Sequence, residues 1–166
     1  MKSGFQSMQF NQRYKVLFSF LTLGFILFIF SNSMFTGPES GSQSRFVMNM
    51  INHLLASLKI SYAIPELFIR KLGHFTEYFI LGVLLTLTIY TYRIHGAQSV
   101  FIKLFVLLLV PVFDEFIQLF TPGRGSSVAD VLLDFCGGCV GMILCILLIS
   151  LSRSGKGHKR RIHSRY

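Results

Sequence analysis

Arg70 to Tyr78, RKLGHFTEY, is the stretch that decides this fold, because it sets a basic pair, a histidine and a glutamate at the mouth of a long apolar run. A helix advances about 100° per residue, so Arg70, His74 and Glu77, at i, i+4 and i+7, share one face. Two later segments repeat the arrangement. Asp114, Glu115 and Gln118 lie near the end of one apolar run, and Asp130 and Asp134, at i and i+4, open the next. Ionisable groups inside membrane spans are costly and mark a functional site by default.

Composition makes those runs spans. Mean hydropathy is +0.58 and only 14% of the 166 residues are charged, against roughly 25% in a soluble domain. The net charge of +9 raises nucleic acid as a partner. The basic residues, however, sit at the chain ends and in one turn between apolar runs, where positive-inside topology puts them, and no nucleic-acid partner is expected. Cys136 and Cys139 form a C-x-x-C pair and Cys145 follows. Within an apolar run these small residues read as packing rather than as a redox pair, and they offer no metal set.

The expected architecture is an all-α membrane protein in one domain. It has four transmembrane helices over about 16–35, 66–93, 99–120 and 128–151, an interfacial amphipathic helix over about 45–59 and a basic cytoplasmic tail over 152–166. Val16 to about Phe35 reads as an uncleaved first span rather than a signal peptide, because its apolar part is long and no A-x-A site follows. Thr36 to Ser44 (TGPESGSQS) reads as a loop. The amphipathic stretch after it either caps the bundle or forms a lid that guides a lipid substrate. Pro65 opens the second span, Pro111 kinks the third, and Ser126 or Ser127 caps the fourth. With both termini cytoplasmic, eleven of the 16 Lys/Arg lie inside, and all seven acidic residues lie outside or in outer halves of spans.

Depth follows from helical rise. Glu77, Asp114 and Asp134 stand seven or eight residues from the outer ends of their spans, roughly 10–12 Å below the rim at about 1.5 Å per residue. Three helices thus bring carboxylates to one level, in a polar pocket open to the extracytoplasmic side. An ionised side chain at mid-span costs roughly 2.5–3.5 kcal/mol. The five acids therefore need counter-charges, shared protons or water, and Arg70, Lys71, His74 and Arg124 are the partners at hand. The structural alternative is a salt-bridge network that merely holds the helices together. Gly137, Gly138 and Gly141 continue the Asp134 face and suit close helix packing, within the chain or with a second copy.

The runs KLGHFTEY (Lys71 to Tyr78), DEFIQLFTPGR (Asp114 to Arg124) and DVLLDFCGG (Asp130 to Gly138) resemble, in content, order and spacing, the VanZ-like family of small bacterial membrane proteins. That family's namesake is associated with low-level teicoplanin resistance. The resemblance covers Arg70 to about Gly141 and carries over onto Lys71, His74, Glu77 and Tyr78, then Asp114, Glu115, Gln118 and Arg124, then Asp130 and Gly138. Asp134 stands where the family more usually shows Asn, which changes the charge of the pocket. The family brings no established reaction.

The functional expectation is a protein of the bacterial cell membrane that binds or modifies a lipid-linked cell-envelope component, and so bears on glycopeptide susceptibility. In an enzymatic version His74 is the general base oriented by Glu77, and Asp114 and Glu115 position a nucleophile. Arg70, Lys71 and Arg124, with Tyr78, Gln118, Asp130 and Asp134, bind the ligand. No cofactor is expected, since a lone histidine among acids is a weak signal for a divalent metal. A proton- or ion-coupled transporter and a structural partner of another membrane protein are the alternatives. The inner halves of the expected spans, poor in ionisable residues, speak against transport.

Overall fold

A computed structural model of the chain describes residues 2–60 and 62–163, with side chains over 12–60 and 62–152. It is all α: α1 (Lys2–Ser33), α2 (Gly37–Ser57), α3 (Glu66–Thr91), α4 (Gly96–Gln118) and α5 (Val128–His163). Three segments are long and apolar enough to cross a membrane, Gln12–Ser33, Glu66–Thr91 and Val128–Ser152. The run expected as a further span over about 99–120 forms α4, which carries Lys103, Pro111, Asp114 and Glu115 and is not among those three. Most of the basic tail continues α5, and its side chains lie outside the described residues.

The apolar surface faces outward. Phe20, Phe101, Phe105, Phe116, Leu147 and Leu148 are exposed while Asp114, Asp134 and Gln118 are buried. In water that surface would drive association, whereas hydrocarbon solvates it. The chain is a multi-pass integral membrane protein.

The segment expected as a loop from Thr36 is helical from Gly37. Composition misled there and chemistry explains it. The Glu39 carboxylate accepts the Thr36 N–H at 2.9 Å and the Thr36 hydroxyl at 2.8 Å, and Pro38 sits in the first turn, where a missing N–H costs nothing. The helix ends where the Ile60 N–H reaches the Leu55 carbonyl at 3.0 Å, with Lys59 left-handed at φ 59°. Asn52 pins the link to α3 by accepting the Ile64 N–H at 2.8 Å and donating to its carbonyl at 3.2 Å.

Glu39's two hydrogen bonds to Thr36 hold its carboxyl below the ordinary value of 4.5. A depressed folded-state value means the contribution to the start of α2 is full above the ordinary value and is lost as pH falls through the depressed one. Amide exchange over residues 37–41 is therefore expected to accelerate on acidification below that range, and Glu39→Gln should flatten the pH profile. An unchanged profile in the variant would refute the role given to the carboxylate.

The α3–α5 contact organises the bundle, and three glycines of α5 make it close. A Cβ on Gly137 would lie 2.6 Å from the Phe75 carbonyl oxygen of α3, and one on Gly141 2.0 Å from that of Phe79. Gly82 of α3 approaches the Gly138 carbonyl equally tightly, and Gly138 faces Leu107 of α4. The glycine face offered to a second copy is thus covered by α3 and α4 of the same chain. Ile29, Leu81, Leu85, Leu107, Val110 and Met142 fill the core between α1, α3, α4 and α5.

Candidate functional site

The polar groups gather at the end of the bundle formed by the start of α3, the end of α4 and the start of α5. Each arrives by a local rule. The α3 face carries Arg70, His74 and Glu77; the last turns of α4 carry Asp114, Glu115 and Gln118 inward; Ser127, just before α5, accepts the Ala129 N–H with its hydroxyl at 3.1 Å and caps that helix. Two turns of α5 then aim Asp130 toward α3 and Asp134 into the centre.

At the centre, Asp114, Asp134 and Tyr78 are fully buried. Asp114 is well held: Ser33 of α1 donates a short hydrogen bond to its carboxylate, and the Gln118 amide donates at 3.2 Å. The same amide reaches the Ser33 hydroxyl at 3.3 Å, while the Thr121 hydroxyl donates to the Ser33 carbonyl at 3.1 Å. Asp134 differs, because among the described residues neither of its oxygens meets a hydrogen-bond donor; its neighbour is His74 Nδ1, 3.8 Å away and likewise without a hydrogen bond among them. The Tyr78 hydroxyl lies beside Asp114 without hydrogen-bond geometry to it. A buried polar group left so costs about 1–3 kcal/mol.

The rim is paired. Lys71 Nζ donates to Asp130 at 2.7 Å in a half-exposed ion pair. Glu115 accepts the Ser127 N–H at 2.8 Å, which ties the end of α4 to the start of α5. Arg124, in the turn between those helices, donates to the carbonyls of Phe35 at 3.1 Å and Asn32 at 3.0 Å. Asn32 lies in the last turn of α1 and Phe35 just beyond it, so the guanidinium caps the end of that helix. Burial and the neighbouring Arg70 draw its pKa down while Asp114, Glu115 and Glu77 oppose the shift, and a guanidinium remains cationic.

Two cavities meet at His74. The outer one, of about 400 Å³, lies between α1, α2, α3 and the Arg124 turn; Arg70, Glu77 and Arg124 supply its charge, and Val47, Ile51, Ile69 and Leu72 its apolar wall. The inner one, of about 30 Å³, is lined by Glu115, Gln118, Asp130 and Asp134, and shares Arg70, His74 and Arg124 with the outer one. Through Ser40, Gln43, Ser44, Val47 and Ile51, α2 forms a wall of the outer cavity. Gly37 holds that wall in place, since its N–H reaches the Pro122 carbonyl at 2.9 Å and a Cβ there would lie 2.1 Å from the Gly123 oxygen.

The eleven residues singled out from the sequence thus converge on one end of the bundle, with different pairings. Glu77 accepts the Asn32 amide at 2.8 Å, and the carboxylate that His74 meets is that of Asp134. Asn32 and Ser33 of α1 join the site without being among those eleven. Their signal was there in Ser31-Asn32-Ser33, a polar triplet ending an apolar run.

No curated protein and no solved structure matches the chain. The model of the VanZ/LLP1 family matches residues 17–149, from the first apolar run to near the end of the last. That span contains α2, α3, α4 and every residue of the polar site, and on this match the chain belongs to the VanZ/LLP1 family.

Proposed function

We propose that the outer cavity binds the anionic headgroup of a lipid-linked cell-envelope component at the extracytoplasmic face of a bacterial cell membrane. The observation that carries this reading is the composition of the cavity wall. Arg70 and Arg124 contribute guanidinium groups beside Glu77, and Val47, Ile51, Ile69 and Leu72 an apolar wall, in a volume of about 400 Å³ that suits a small amphiphile. Guanidinium groups bind phosphate or carboxylate in a planar fork, and the apolar wall takes the first methylenes of a chain.

In this reading the chain crosses the membrane four times, with both termini cytoplasmic. The 23 residues of α4 extend roughly 35 Å at about 1.5 Å each, enough for a hydrocarbon core of about 30 Å. Its exposed side is apolar, with Phe101, Phe105, Val112 and Phe116, while Lys103, Asp114, Glu115 and Gln118 turn inward. The distribution of Lys and Arg supports an extracytoplasmic position for the polar site.

Binding is favoured over ion transport by the layer of Ile29, Leu81, Leu85, Leu107 and Val110, which separates the polar site from Lys103. A relay needs continuous polar groups or water, and this layer supplies neither. The test compares envelope lipids and wall precursors, by mass spectrometry, between cells lacking the protein and cells complemented with wild type or Arg70→Ala. One phosphate- or carboxylate-bearing species is expected to accumulate without the protein and to persist at least tenfold above wild type with the variant at equal protein level. Full correction by Arg70→Ala would refute the headgroup assignment. Teicoplanin susceptibility of the same strains is expected to follow the lipid change.

A further inference from the structure

Asp134 is the residue the headgroup reading does not use. Its side chain has no exposed surface, and among the described residues both carboxylate oxygens lack a hydrogen-bond donor. Among the described residues, no lysine or arginine forms an ion pair with it. Lys71 is committed to Asp130, and Arg124 to two carbonyls. Facing it are His74 Nδ1, without a hydrogen bond, and the equally buried carboxylate of Asp114. One donor atom from each of the three lies within 4.8 Å of the others, and each comes from a different helix.

We propose that His74, Asp114 and Asp134 together bind one divalent transition cation of the Mn²⁺ or Zn²⁺ type between α3, α4 and α5. Two buried carboxylates facing each other repel when both are ionised unless a positive charge stands between them; Lys71 and Arg124 are engaged elsewhere, and Arg70 is exposed at the rim. An imidazole nitrogen beside two carboxylate oxygens suits Mn²⁺ or Zn²⁺ better than Mg²⁺ or Ca²⁺, which prefer oxygen alone. Bonds of about 2.0–2.2 Å would bring such donors to roughly 3–3.5 Å from one another. The observed 3.8 Å between His74 and Asp134 is close to that spacing, and small side-chain rotations supply the rest.

The surroundings fit a metal centre in two further respects. Ser33 and the Gln118 amide fix the Asp114 carboxylate, as hydrogen bonds from the outer shell commonly orient a ligand. Each Asp114 oxygen accepts one of these bonds and retains a lone pair. The cavity of about 30 Å³ beside His74 and Asp134 has room for a coordinated water. His74 lines both cavities, so a cation reaches the centre from the outer one. As a ligand through Nδ1, its ring carries the proton on Nε2.

The site rests on the inner cavity and holds whatever occupies the outer one. The test uses the full chain in lipid nanodiscs, stripped with EDTA and titrated with Mn²⁺ while the spin-resonance signal of free Mn²⁺ is followed. Wild type is expected to bind one Mn²⁺ per chain, displaced by one equivalent of Zn²⁺. Asp134→Asn, which keeps the shape of the side chain, should weaken binding at least tenfold, as should His74→Gln, and Glu39→Gln should leave it unchanged. Mn²⁺ should also raise the melting temperature of wild type and not that of Asp134→Asn. Binding of less than one ion per wild-type chain overturns the proposal whether or not the variants fold, and so does equal affinity in wild type and Asp134→Asn.

Discussion

Gly141→Val is expected to melt roughly 6–12 °C below wild type in detergent, taking about 3 kcal/mol and about 2–4 °C per kcal/mol for a chain of this size. A Cβ at this position would lie 2.0 Å from the Phe79 carbonyl oxygen and 2.9 Å from its carbonyl carbon. Both are backbone atoms of α3, so no rotamer change relieves the overlap and the two helices must separate. Overpacking typically costs about 1–3 kcal/mol, and a clash with backbone belongs at the upper end. Separation also matters for the site. Gly137 meets the Phe75 carbonyl one turn away, next to His74 on α3, so His74 and Asp134 would move apart with the helices. Gly24→Val is the control, because nothing lies within 4 Å of a Cβ there. Thermal melts by circular dichroism decide the matter, and a wild-type melt for Gly141→Val would contradict the close α3–α5 approach.

Arg124→Ala is expected to weaken binding of a polyprenyl phosphate at least tenfold, equivalent to about 1.4 kcal/mol or more. Two losses combine. The outer cavity loses one of its two guanidinium groups, and the end of α1 and the turn after it lose the donors on the carbonyls of Asn32 and Phe35. Asn32 also donates to Glu77, which lines the same cavity, so loosening the end of α1 disturbs that carboxylate as well. Arg124→Lys separates the contributions. It keeps the charge but cannot make the forked contact, and is expected to recover only part of the affinity. Arg70→Ala removes a cation without uncapping a helix, and should weaken binding with little effect on the melt. Native mass spectrometry of the protein in nanodiscs measures all three, and unchanged affinity in Arg124→Ala would remove this residue from the ligand site.

Helix boundaries were largely legible in the chain. Pro65 marked the start of α3, the TPGRGSS turn marked the start of α5, and the apolar runs marked α1, α4 and α5. The start of α2 is hidden by composition, because Gly, Ser and Pro dominate its first turns, although Thr36 and Glu39 spell a capping box within the same segment. Membership of the polar site was legible too. Charged residues do not persist in apolar runs without partners, and their positions at similar distances from the ends of those runs give a common level.

By itself, the sequence determined that this is a helical membrane protein and that His74, Glu77, Asp114 and Asp134 belong to its polar end. Hydropathy and helical period are local properties that can be read residue by residue. Only the tertiary structure decided the pairings: His74 beside Asp134, Glu77 with Asn32, Arg124 on the end of α1, and α2 as a wall of the outer cavity. These depend on the distance and register between helices, which the contacts of Gly82, Gly137 and Gly141 with opposing backbone set. A pattern along one helix carries no information about which neighbour comes that close.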